Sequence, residues 1–189
     1  MKRYLVLENG EVFAGLALGA PCDTFGELVF TTGMCGYLET LTDPSYAGQI
    51  VMQTYPLIGN YGIIPEDFEG ACCVRGYVVR EWCEEPSNFR CQKTLDEFLK
   101  EQGIISIAGV DTRRLTRIIR DEGSQKVLIT DVATPRDEAL RKLGEYVMPR
   151  DMVSRVSCKK RWMSRVPNHK YDVVAVDCGI KYNIIRLLN

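Results

Sequence analysis

The chain has 189 residues, 46% of them hydrophobic and 26% charged, enough apolar material for one buried core, or for one domain and part of a second. Lys and Arg number 24 against 25 Asp and Glu, which excludes a basic sheath for nucleic acid and a field that would draw the chain onto an anionic membrane. No apolar run approaches the roughly 20 residues that a bilayer-spanning helix needs, and the amino end MKRYLVLENGEV lacks the apolar block of a signal peptide, so the expected location is the cytoplasm.

The first predicted element is a hairpin over Tyr4 to Gly15, because Asn9-Gly10 tolerates positive φ between two apolar arms. GELVFTTG (Gly26 to Gly33) and QIVMQTYP (Gln49 to Pro56) read as strands. Between them lies LTDPSYAGQI, where Pro44 fixes φ, Asp43 can accept from nearby amides, and Ser45 presents its hydroxyl outward beside Tyr46. LIGNYGIIPEDFEG is a loop on its Gly, Pro and Asn content, and ACCVRGYVVREWC (Ala71 to Cys83) is a longer strand.

From there the periodicity changes to 3.6. TLDEFLKEQG is a helix with a Thr94/Glu97 capping box and Gly103 as its stop. GIISIAGV is a short buried strand. DTRRLTRIIRDEG is a helix capped by Asp111 or Thr112, ended by Gly123, with Leu115, Ile118 and Ile119 facing the core. KVLITDVA returns to strand, and TPRDEALRKLGEY is a helix with Thr134 as cap and Pro135 in its first position. Residues 147–170 are polar, basic and aperiodic, and read as a linker. YDVVAVDCGIKYNIIRLLN (171–189) reads as a parallel-type strand, a glycine turn and an apolar helix, the opening of a second α/β domain that the chain does not complete. The first domain is then 1–146, mixed α and β.

The chemistry-bearing residues are few. Eight cysteines (Cys22, Cys35, Cys72, Cys73, Cys83, Cys91, Cys158, Cys178) include no CxxC pair, and adjacent Cys72 and Cys73 in a strand point to opposite faces, so no structural metal is expected. His169 is the one histidine and lies in the linker, so Cys178 has no base to make it a nucleophile. GNYG and GMCG lack the lysine and the strand-to-helix context of a phosphate loop. Arg113, Arg114, Arg117 and Arg120 on one helix suggest a helix-turn-helix, but IISIAG is too long for its turn; a protein interface or a solvated face remains.

Three stretches carry a resemblance: GELVFTTGMCGYLETLTDPSYAGQIVMQTYPLIGNYG, GVDTRRLTRIIRDEG and VVAVDCGIKYNIIRLL. In that order and spacing they resemble the small, glutamine-hydrolysing subunit of carbamoyl-phosphate synthetase over nearly the whole chain. The resemblance implies a layered β/β/α swivelling-type domain followed by the start of a class I glutamine amidotransferase α/β domain. It implies that Ser45 contacts glutamine from across the domain boundary. It also implies a large subunit that takes up the released ammonia and carries ATP and a divalent metal, for arginine and pyrimidine biosynthesis. The family's nucleophilic cysteine, histidine and glutamate have no counterpart here, and Cys178 matches none of them. The expected role of this chain is therefore docking and glutamine-pocket building, with no glutaminase activity of its own.

Overall fold

The computed structural model describes residues 1–189. β1 (Lys2–Leu7) and β2 (Val12–Gly19) form the antiparallel hairpin, turned at Asn9 and Gly10 (φ 87°), where the Asn9 carboxamide oxygen accepts from the Glu11 amide at 3.0 Å. β3 (Thr24–Thr31), β4 (Gln49–Gln53), β6 (Gly76–Val78) and β8 (Ile105–Ala108) lie side by side and parallel. β8 then pairs antiparallel with β2, and β9 (Gln125–Thr130) pairs antiparallel with both β1 and β3. The ring is thereby closed in the order β1-β2-β8-β6-β4-β3-β9, a mixed α/β barrel with no free sheet edge.

Side-chain alternation sorts the strands' residues onto two faces. Leu5, Leu7, Ile50, Met52, Ile105, Ile107, Val127 and Ile129 fill the interior. Their neighbours point outward, yet these too are covered. Val51 and Tyr77 pack with α1 (Tyr37–Thr42) and α2 (Leu95–Glu101), and Val6 and Leu128 pack with α4 (Arg136–Glu145). α3 (Thr112–Glu122) adds Leu115 and Ile119 to the interior cluster, capped by the Asp111 carboxylate accepting from the Arg114 amide at 2.9 Å. The Thr94/Glu97 capping box opens α2 as expected.

Four expectations are corrected. Ala71 to Cys83 is not one strand: β6 ends at Val78, and Glu81–Trp82 (β7) leaves the barrel to pair with Leu57–Ile58 (β5), inside the stretch read as loop. Residue-type preference marks extended backbone but not its partner, and here the partner changes in mid-run. Cys72 and Cys73 therefore lie outside any strand, and the alternation argument does not apply to them. Thr134 does not cap α4; Pro135 is the N-cap and the Thr134 hydroxyl donates to the Val132 carbonyl at 3.3 Å. Residues 171–176 form no strand, because no strand of the chain lies beside them to complete a ladder; Val174 is 93% exposed. Within 147–170 a short α5 (Met152–Val156) forms, and α6 (Tyr182–Leu188) is the predicted final helix. No helix is long and apolar enough to cross a membrane.

Candidate functional site: the Asp43 turn and its junction with 177–186

α1 stops because Pro44 follows Asp43, whose backbone has already turned extended (φ −75°, ψ 117°). Pro44–Tyr46 then makes one 3₁₀ turn. One Asp43 carboxylate oxygen accepts from the Ser45 amide at 2.9 Å, and the Asp43 carbonyl accepts from the Tyr46 amide at 3.0 Å and from the Cys73 thiol at 3.3 Å. The Thr42 hydroxyl donates to the Leu38 carbonyl at 2.7 Å and accepts from the Glu69 amide at 2.9 Å, which binds the turn to the loop ahead of β6. Ser45 is exposed on this rigid platform and its hydroxyl has no partner within the chain.

The second Asp43 oxygen meets Lys181 Nζ at 2.7 Å. That hydrogen bond raises the Lys181 pKa against the opposing effect of burial. Lys181 is delivered by a tight turn in which the Asp177 carboxylate accepts from the amides of Gly179 (2.8 Å) and Ile180 (2.9 Å), which lowers the Asp177 pKa. Gly179 has φ 104°, and a Cβ there would come within 2.7 Å of Val156 and 3.1 Å of Pro44, so only glycine fits between the turn and α5.

Glu69, 7% exposed, serves the start of α6. Its carbonyl accepts from the Tyr182 amide at 3.0 Å and its carboxylate accepts from the Asn183 amide at 2.8 Å. Arg186 donates to the carbonyls of Glu66 and Phe68 at 2.9 Å each and brings a guanidinium nitrogen 4.0 Å from the Glu69 carboxylate. Two otherwise unpaired first-turn amides are thus satisfied by a residue more than a hundred positions earlier in the chain.

Beside this junction opens a cleft of about 920 Å³ lined by Pro44, Cys72, Cys73, Met152, Trp162 and Ile185 among others. Burial pushes the Cys72 thiol up to about 12 and, with help from the Asp43 charge, the Cys73 thiol up to about 11, so neither is a thiolate at neutral pH. Cys178 is exposed with no hydrogen bond, and His169 faces Asp172 at 3.3 Å. The junction contains no paired nucleophile and base. Asp43 was legible as turn chemistry, but its tie to Lys181, and Glu69 and Arg186 altogether, were not. The sequence places Glu69 only within LIGNYGIIPEDFEG, which reads as a loop.

The molecule is thus a closed mixed α/β barrel with an outward-facing turn latched to the segment that follows the barrel. The family described as carbamoyl-phosphate synthase small chain, CPSase domain, matches residues 5–129. Curated relatives named carbamoyl phosphate synthase small chain are 51% identical over all 189 residues in Listeria monocytogenes serotype 4b (strain F2365) and 50% identical over 190 aligned positions in Bacillus caldolyticus, each alignment covering 100% of this chain and 52% of the relative. The Bacillus subtilis (strain 168) protein named carbamoyl phosphate synthase pyrimidine-specific small chain is also 50% identical, with the same coverage. The chain belongs to the carbamoyl-phosphate synthase small chain family, and it spans about half the length of these relatives.

Proposed function

We propose that this chain is the amino-terminal part of the small subunit of a glutamine-hydrolysing carbamoyl-phosphate synthetase. In this reading the barrel is the swivelling-type domain, and Tyr171 to Asn189 open a glutamine amidotransferase domain. That domain releases ammonia from glutamine to a large subunit, which uses bicarbonate and ATP with a divalent metal, in the cytoplasm, for arginine and pyrimidine biosynthesis. Ser45 forms one wall of the glutamine pocket. The observation that carries the reading is the latch: Asp43 holds the Ser45 amide with one oxygen and Lys181 with the other. One carboxylate thus joins the backbone of the Ser45 turn to the segment where, in this reading, the amidotransferase domain begins.

The contribution of Ser45 is bounded by its chemistry. One neutral hydrogen bond on a preorganised turn stabilises a ligand by about 0.5–1.5 kcal/mol. In the whole subunit, Ser45→Ala is therefore expected to raise the KM for glutamine by about 2- to 12-fold with kcat retained. Unchanged glutamine kinetics would remove Ser45 from the pocket. The 189-residue chain alone is expected to release no ammonia from glutamine, since neither Cys178 nor any other cysteine has a histidine base in the structure. Ammonia release that Cys178→Ser abolishes would make the chain an independent thiol enzyme instead.

A further inference from the structure

The four parallel strands give the barrel two unlike ends. The junction and its cleft occupy the amino ends: Gly48 immediately precedes β4, and Arg75 immediately precedes β6. At the carboxyl ends lies a separate recess of about 440 Å³. Thr32 follows β3, Thr54 and Pro56 follow β4, Arg80 follows β6, and α3 follows β8 with Thr112, Arg113, Thr116, Arg117 and Arg120. Its lining is arginine, threonine and one proline, with no acidic side chain.

The charge there is poorly compensated within the chain. Arg113 and Arg117 have no carboxylate within 4 Å, Arg80 has only Glu81 at 3.9 Å, and Arg120 pairs at 2.8 Å with its own neighbour Asp121. On the rest of α3, by contrast, Arg114 meets Glu11 at 2.6 Å. Thr112 is 2% exposed, lines the recess, and its hydroxyl makes no hydrogen bond within the chain. Leu115 and Ile119 anchor the other face of α3 in the barrel interior, so the arginines stand on a rigid base.

We infer that this recess docks a carboxylate-bearing surface of a partner protein, namely the large subunit required by the proposed function, on which this inference rests. Three observations favour that occupant. The recess is at the end of the barrel away from the chain's own continuation, so both faces can be engaged together. Its cations are all arginine, whose planar fork matches carboxylates two bonds at a time and which is enriched at protein interfaces. It has no aromatic side chain on which a nucleic acid base could stack, and the chain's net charge is −1.

The test uses the whole small subunit and the large subunit, with association followed by calorimetry over a series of salt concentrations. Arg113→Gln/Arg117→Gln is expected to weaken association by about tenfold or more and to flatten its salt dependence, while the small subunit's own glutamine hydrolysis and melting temperature stay as they were. Arg80→Gln, on a different element, shifts association in the same direction. The lysine double variant restores only part of the affinity. Association unchanged within about twofold in the glutamine variants overturns the inference. So does saturable binding of inorganic phosphate that the same variants abolish without affecting association, which would make the recess a small-anion site. Failure of the function reading itself is seen separately, as a wild-type subunit that neither hydrolyses glutamine nor associates.

Discussion

Arg3→Met is expected to destabilise the folded chain by about 3–5 kcal/mol, the cost of leaving buried charge-pairing groups without their partner. Arg3 is the largest fully buried side chain, 1% exposed, on the first strand of the barrel. All five of its N–H groups are used. Nε and one Nη2 hydrogen grip Asp131 at 2.6 and 2.9 Å, Nη1 donates to the Leu18 and Ser106 carbonyls at 2.6 and 2.7 Å, and Nη2 also reaches the Ala20 carbonyl at 3.1 Å. One guanidinium thus ties β1 to the ends of β2 and β9 and to β8. Methionine fills much of the volume but strands three carbonyls and a carboxylate that is only 14% exposed. Lysine would retain charge, yet its three hydrogens radiate from one atom and cannot reach four acceptors across the fork's width. Against a total stability of about 5–15 kcal/mol, a loss of this size lowers the melting temperature by about 10 °C. Urea and thermal unfolding of Arg3→Met and Arg3→Lys measure it. A loss below about 1 kcal/mol for methionine would show that the network is dispensable.

Arg3 also marks where the sequence stops being informative. Nothing in MKRYLVLENGEV marks it as buried, because burial of a cation is decided by acceptors from positions 18, 20, 106 and 131 that no local pattern brings together. Local signals did better where the physics is local. The Asn9-Gly10 turn, the Thr94/Glu97 box and the Asp111 cap each depend on residues within four positions, and each forms. The strand reading of 71–83 failed for the converse reason: extended backbone is a local preference, but ladder partners are not, and the run changes partner after Val78. The site divides in the same way. Asp43 holding the Ser45 amide is a contact over two residues and was legible as turn chemistry, whereas Lys181 and Glu69 act across more than a hundred residues.

Glu69→Ala is expected to release α6 from the barrel without unfolding the barrel. A seven-residue helix has too few hydrogen bonds to offset its nucleation cost, so α6 persists because of what it docks against. Its exposed Leu187 and Leu188 show that apolar burial is not the main tie. What remains is polar: the Glu69 carboxylate on the Asn183 amide, the Glu69 carbonyl on the Tyr182 amide, the Arg186 contacts, and Lys181 on Asp43. Alanine removes the first of these and leaves Arg186 without its counter-charge. A hydrogen bond to a charged acceptor contributes about 1.5–3 kcal/mol, which here acts on the local opening of the segment. Amide hydrogen exchange over 182–188 is therefore expected to accelerate by about 10- to 100-fold, with exchange in β1, β4 and β8 unchanged. Glu69→Gln keeps an acceptor oxygen at the same reach and should recover part of the protection. In the whole subunit the two ends of the latch act on one turn, so combining Glu69→Ala with Ser45→Ala should raise the KM for glutamine by less than the product of the single effects. Unaltered exchange over 182–188 in Glu69→Ala would mean that the helix is held by something other than this carboxylate, and the coupling between the Ser45 turn and the segment beyond it would then rest on Lys181 alone.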